Sequence, residues 1–257
     1  MLAVVQSRTE DAAEHMQTPE VDDVLQWVFA EEQSCVVMAG PGTGKTQLVV
    51  KVHQKLLEKN SSISPLILVF NRNAKEELSN RGVLGAQTFH GKGLALCRRL
   101  YRSVTVKTNK TNLLLKEMFP PKPGQKKHKY REDVLGKIKH VIKLVQLCKA
   151  YALNPDSHEF MDELNILATK HRISADLERQ LKGSPVAVHL QLIKEMTKDV
   201  LTESIKRASE MIDFADMIYM PVLRGLEAER AGVSGVEAGV FTPEPSGWVI
   251  VDECQVI

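Results

Sequence analysis

Apolar and polar positions alternate between two rhythms in the first hundred residues. Cys35-Val36-Val37-Met38 is a short apolar run, read with Ser34 as strand Ser34–Met38, and Gln47–Glu58 then has helical spacing. Leu66–Phe70 is a continuous apolar run of the kind a parallel strand buried on both faces requires. Asn71-Arg72-Asn73 ends it, and Ala74–Arg81 reads as a short helix. Gly85–Gly91 reads as a third strand ending in a polar loop, Thr88-Phe89-His90, before a helix with Leu94, Ala95, Cys97, Leu100 and Tyr101 on its apolar positions. Upstream, Thr18-Pro19-Glu20 carries a helix-start signal, with Val24, Leu25, Val28 and Phe29 on one face behind it. Strand, polar loop and helix in succession imply a parallel sheet with helices on its faces.

The rhythm changes near Ser103. Pro120–Lys129 is rich in proline and lysine and reads as an exposed loop. Val134–Ala152 is an amphipathic helix with Leu135, Ile138, Val141, Ile142, Val145 and Cys148 in one stripe. Further helical patterns cover 157–171, 175–182 and 186–210. Ile212–Ile218 begins a return, Gly232–Gly247 is loop-like, and Trp248–Val251 is a last apolar strand. The fold class expected is therefore α/β, a parallel sheet interrupted by a mostly helical inserted subdomain. Its parts are a mobile lead-in at 1–17, a first α/β part at 18–102, a helical insertion at 103–195 and a return segment at 196–257.

Composition narrows this little. Apolar residues make up 43% and charged residues 26% of the chain, as in ordinary globular proteins. Charge distribution says more than the net +2: Met1–Ser34 holds eight acidic residues and one basic, while Arg102–Lys149 holds 13 Lys/Arg and three Asp/Glu. Such a basic block suits either a polyanion partner or a solvated helix face. The four cysteines are far apart, which argues against a zinc site or a disulfide framework. No secretory leader and no apolar run of about 20 residues is present, so an intracellular, soluble protein without a membrane partner is expected.

Chemistry concentrates at two strand tips. After the first strand comes Ala39-Gly40-Pro41-Gly42-Thr43-Gly44-Lys45-Thr46, a glycine-rich turn leading into a helix. Glycines let successive backbone N–H groups converge on a phosphate chain, and the helix adds the positive end of its dipole. In this P-loop pattern Lys45 reaches the β- and γ-phosphates and the Thr46 hydroxyl ligates Mg²⁺. The last strand ends in Asp252-Glu253. Nucleotide hydrolysis needs a carboxylate for Mg²⁺ and a group that orients water, roles assigned to Asp252 and Glu253.

Five segments together resemble the first motor domain of UvrD/Rep-like helicases of superfamily 1: AGPGTGKT, LVFNRNAKEEL at 68–78, AQTFHGKG at 86–93, IDFADMI at 212–218 and VIVDECQ at 249–255. The resemblance implies a RecA-like ATP-binding domain that uses ATP and Mg²⁺ to act on single-stranded DNA. It also implies that the helical insertion touches a duplex junction, that Gln255 couples nucleotide state to DNA, and that Asn71, Thr88, Phe89 and His90 touch the single strand. Hydroxyl and imidazole groups can bond phosphate and an aromatic ring can stack on a base, so those residue types suit the role.

The family has glutamine after Thr-Pro-Glu, where it reads the adenine edge; this chain has Val21. Val256 stands where the family has a second aspartate after its Asp-Glu pair. The sequence stops at Ile257 without the family's second motor domain, so a chain incompetent to unwind alone, completed in cis or in trans, is expected. Two alternatives remain open at this stage: a non-motor nucleotide-binding module derived from such a helicase, and an RNA-acting relative.

Overall fold

Among the described residues, three short parallel sheets organise the strands, and helices supply most of the rest. The computed structural model describes residues 3–5, 25, 29, 35–37, 43–120, 123, 136–180, 186–233 and 248–252. The chain divides into two units, Met1–Phe89 with Pro243–Ile257, and His90–Thr242.

In the first unit, β1 (Ala3–Val5) pairs in parallel with β2 (Cys35–Val37). Three residues of the segment expected to be a mobile lead-in are therefore a strand; Ala3-Val4-Val5 is the short apolar stretch within it, and β-branched residues favour the extended chain. Helix α1 spans Lys45–Lys59 and β3 spans Leu66–Val69. Helix α2 spans Arg72–Asn80, and β4 is Gln87–Thr88. Strand β3 lies between β4 and the late strand Val249–Val251, parallel to both.

One face of this sheet is well covered. Ile67 and Val69 are fully buried with Val49 and Val50 of α1, Leu78 of α2, Val83 and Ala86. Val52 and Leu56, further along α1, pack with Leu25, and Phe29, Ile63 and Trp248 lie against them. Leu25 and Phe29 are both helical, and Phe29 meets Trp248 with ring centroids 5.6 Å apart. The expectation of burial on both faces of Leu66–Phe70 is corrected. Alternate side chains of a strand point to opposite faces, and Leu66 and Leu68 are only half-buried, while Phe70 lies past the strand end and is 43% exposed.

The second unit is helical around one small parallel pair. Helix α3 (Phe89–Tyr101) leads into it, β5 (Thr105–Val106) pairs with β6 (Met211–Ile212), and α4 (Lys110–Met118) follows β5. Helices α5 (Gly136–Ala150), α6 (Phe160–Lys170), α7 (Ile173–Gln180) and α8 (Val186–Lys206) come next; α8 runs unbroken through residue 195. After a 3-10 turn at Arg207–Ser209 and β6, α9 (Phe214–Arg230) follows, and Val249–Val251 of the first unit is β7. Val141, Val145 and Cys148 of the predicted α5 stripe are fully buried, with Leu144 beside them. They pack with Leu114, Phe160, Leu164, Ile193 and Val200.

Candidate functional site

Helix α1 begins on a backbone turn that only glycine adopts without strain. Gly44, its first flanking residue, has φ +87°, in the left-handed region. The Leu48 N–H donates to the Gly44 carbonyl at 2.9 Å, closing the first helical turn. The first N–H groups of a helix have no partner within it, and that end carries positive dipole charge. The first turn of α1 holds no acidic side chain to offset this, and it carries Lys45 and Thr46.

The direction of α1 sets which end of the sheet this turn faces. Residues 60–65 join its last turn to the start of β3, so the two lie close together. A helix of 15 residues spans about 22 Å. Since α1 packs along β3, its first turn lies at the carboxyl end of the strands. Asp252 lies at that same end. Its N–H donates to the Leu68 carbonyl at 2.9 Å, extending the β3–β7 ladder by one rung, and its side chain is 7% exposed.

The other strand tips converge there too. Leu68 is paired with both Val251 and Gln87, and Val69 with Thr88. Asp252 and Thr88 are thus level with Val69 on either side, two strand spacings or about 10 Å apart along the ladder. Asn71, just beyond β3, caps α2: its Oδ1 accepts the Ala74 N–H at 2.8 Å. The ladder therefore puts Thr88 and Asp252 at one end of a parallel sheet with Asn71 just beyond β3, and the packing of Val49, Val50, Val52 and Leu56 directs the start of α1 toward that end. Ala39, Gly40, Pro41 and Gly42, together with Glu253 and Gln255, lie outside the described residues, while Thr43 precedes Gly44 on an exposed bend.

The Thr88-Phe89-His90 segment departs from expectation. It is no loop, since Thr88 ends β4 and α3 starts at Phe89. In the second unit, the exposed His90 ring stands edge-on to Phe214, with centroids 5.6 Å apart and planes at 87°. Phe214 opens α9 and is 52% exposed.

A tight helix crossing brings these rings together. Pro221 lies inside α9 and has no N–H for the Met217 carbonyl four residues earlier. That carbonyl meets α3: a Cβ built on Gly93 would lie 2.1 Å from the Met217 oxygen. The Cys97 thiol, one turn on, lies 3.9 Å from the same oxygen and 3.8 Å from the Asp216 carbonyl. Burial, with the Asp216 charge adding, pushes the Cys97 thiol up to about 12.

Beneath the start of α9 lies a buried ionic cluster. Lys110 Nζ donates to Asp216 Oδ2 at 2.7 Å and to the Ser204 carbonyl at 2.7 Å. Lys149 Nζ donates to Asp213 Oδ2 at 2.8 Å. It also lies 2.8 Å from Asp216 Oδ1, an ion pair without the alignment of a hydrogen bond. The two aspartates cap α9 reciprocally, each accepting the other's backbone N–H, at 2.9 and 3.1 Å. Burial pulls the Lys110 ammonium below its ordinary range despite Asp216 beside it.

A family model described as an AAA domain matches residues 26–257. The chain belongs to that AAA domain family. It is a P-loop NTPase domain of the helicase kind, and such domains occur in UvrD/Rep-like helicases. No curated protein matches the chain. The mixed architecture with short parallel sheets agrees with the α/β fold of an AAA P-loop domain. Among the described residues, no helix is long and apolar enough to cross a membrane.

The residues present in this AAA domain fit a magnesium-bound nucleotide. Mg²⁺ prefers hard oxygen ligands and usually takes one or two from protein, with phosphates and water supplying the others. A Thr46 hydroxyl and an Asp252 carboxylate would be such a donor pair, and the helix start at Gly44 suits phosphate. Sequence reading passed over Phe214, Lys110 and Lys149. An exposed aromatic between two aspartates carries no local signal. The two lysines were counted in a basic block, whereas both are buried against carboxylates about 65 to 105 positions away in the chain.

Proposed function

We propose that this AAA domain is the ATP-binding and hydrolysing motor domain of a UvrD-like helicase acting on single-stranded DNA, with a RecA-like core. What supports the reading is Asp252 at the carboxyl end of the β4-β3-β7 sheet, together with a glycine-started helix whose packing directs its first turn toward that end. Ligands in open parallel sheets gather at that end. Lys45 would hold the β- and γ-phosphates, with the N–H groups around Gly44 cradling them. Thr46 and Asp252 would hold Mg²⁺, which when bound neutralises charge developing on the phosphates. Glu253 would orient water, and Gln255 would relay the nucleotide's state.

Asn71, Thr88, Phe89 and His90 are proposed DNA contacts, to which the exposed Phe214 ring is added because it stands beside His90. The basic stretch within 103–195 supports a duplex-junction contact by charge, and a second motor domain is the proposed partner in cis or in trans.

The test is ATP turnover by the purified chain, with and without an oligothymidine, beside Lys45→Ala. Magnesium-dependent turnover that rises with the oligonucleotide and is lost in Lys45→Ala supports the reading. Nucleotide binding that ignores Lys45 would overturn the nucleotide assignment. Stimulation by RNA but not DNA would overturn the DNA assignment.

A further inference from the structure

Phe214 sits between two buried carboxylates yet stands in solvent. A helix turns about 100° per residue, so Asp213 and Asp216 share one side of α9 and residue 214 points to the other. The buried side continues through Met217 and Met220, and the opposite side carries Ile218 and Val222, both 38% exposed. What holds the first turn in this rotation is the ionic cluster. Lys110 comes from α4, Lys149 from α5, and the Ser204 carbonyl from α8. Thr111 Oγ lies 3.5 Å from Asp213 Oδ2. Two helices, α4 and α5, thus grip Asp213 and Asp216 on either side of Phe214, and α8 braces Lys110 through the Ser204 carbonyl.

Such a cluster is a poor way to gain stability alone. Taking charges from water costs much of what their attraction returns, and apolar replacements are often as stable. Ion pairs with fixed partners do, however, define one geometry where apolar side chains would tolerate several. Here the geometry defined is that of the helix end whose next residue is the exposed ring.

We infer that Lys110 and Lys149 are positioning residues, which hold the start of α9 so that Phe214 stands edge-on to His90 as a platform for a nucleic-acid base. This rests on the single-strand reading of His90 proposed above. The lysines touch no nucleic acid in this role; they act through Asp213 and Asp216. One stacked base contributes enough that losing the platform weakens binding about tenfold.

The experiment uses Lys149→Met and Lys110→Met, which keep side-chain length and remove the charge. Two readouts are taken on the full chain: the ring-to-ring nuclear Overhauser effect between labelled His90 and Phe214, and affinity for a fluorescent oligothymidine at fixed salt. Both variants are expected to lose the ring contact and about tenfold in affinity. In a Phe214→Ala background, Lys149→Met is expected to add no further loss, a non-additivity that general destabilisation would not produce.

An intact ring contact in a folded lysine variant overturns the inference, as does an equal loss in both backgrounds. Should the lysine variants fail to fold, Thr111→Val decides, since it removes only the hydroxyl at Asp213. A weakened ring contact there supports positioning, and an unchanged one leaves the cluster a stabilising device and overturns it. If the wild-type chain does not bind oligothymidine, the nucleic-acid reading fails, while the ring contact still decides whether the lysines position Phe214.

Discussion

Gly93 and Met217 are in closer contact than any side chain at position 93 would permit. The bare Gly93 Cα faces the Met217 carbonyl, and an added methyl would sit 2.1 Å from its oxygen and 2.8 Å from its carbon. The obstacle is backbone, so no rotamer relieves it. Gly93→Ala is expected to force α3 and α9 apart and lower stability by about 2 kcal/mol, in the range of overpacked cores. Thermal unfolding measures this, and an unchanged midpoint would show that the crossing is loose.

Nucleotide binding and hydrolysis should separate at the sheet end. Asp252→Asn keeps an oxygen but loses the charge that would hold Mg²⁺. Turnover is expected to fall about 100-fold or more, as when a charge-stabilising group is removed from a reacting centre. Affinity for nucleotide without metal should stay close to wild type, whereas Lys45→Ala should lose it. Titration calorimetry and phosphate release, run on both variants, distinguish the two roles.

His53 lies on the buried side of α1, and burial lowers its pKa from the usual 6.5. The unfolded chain therefore takes up a proton near pH 6.5, where the folded chain does not. Between 6.5 and the lower folded value the unfolded state binds more protons, so stability falls as pH falls through that window. His53→Gln should flatten this part of the profile. Urea midpoints compared between pH 8 and pH 5 provide the check; parallel profiles for the two proteins would reject the assignment to His53.

Cys97 and Cys148 are fully buried, and burial pushes both thiols up to about 12. Since the thiolate is the reactive form, both should resist alkylation in the folded chain. Brief iodoacetamide treatment followed by peptide mass spectrometry should find them unmodified until denaturant is added. Labelling of Cys97 under native conditions would mean that the α3–α9 crossing opens.

Local pattern carried a large part of the fold. The turn before α1, the helix beginning at Lys45, the apolar β3 and the strand leading into Asp252 are all short-range features, written in glycine, apolar run and helical spacing. Parallel pairing also followed, because strands alternating with helices have few other ways to bury their faces. Thr88-Phe89-His90 was misread as a loop because a helix that starts directly at a strand end, with no proline in its first turn, gives little local signal. Helix α4 was not singled out for a related reason: Lys110-Thr111 at its start is polar by type yet buried in fact.

By itself the sequence determined the kind of chemistry to look for: a glycine-rich turn of P-loop pattern, a carboxylate at a strand tip, and a chain that the AAA domain family model matches over residues 26–257. These depend on neighbours a few residues apart, whose spacing is fixed by the geometry of helix and strand. Only the tertiary structure decided which charges are solvated and which are buried, and which aromatic ring stands in water. Lys110 and Asp216 are 106 positions apart and 2.7 Å apart in space; a lysine's partner is chosen by helix packing, which no local pattern encodes.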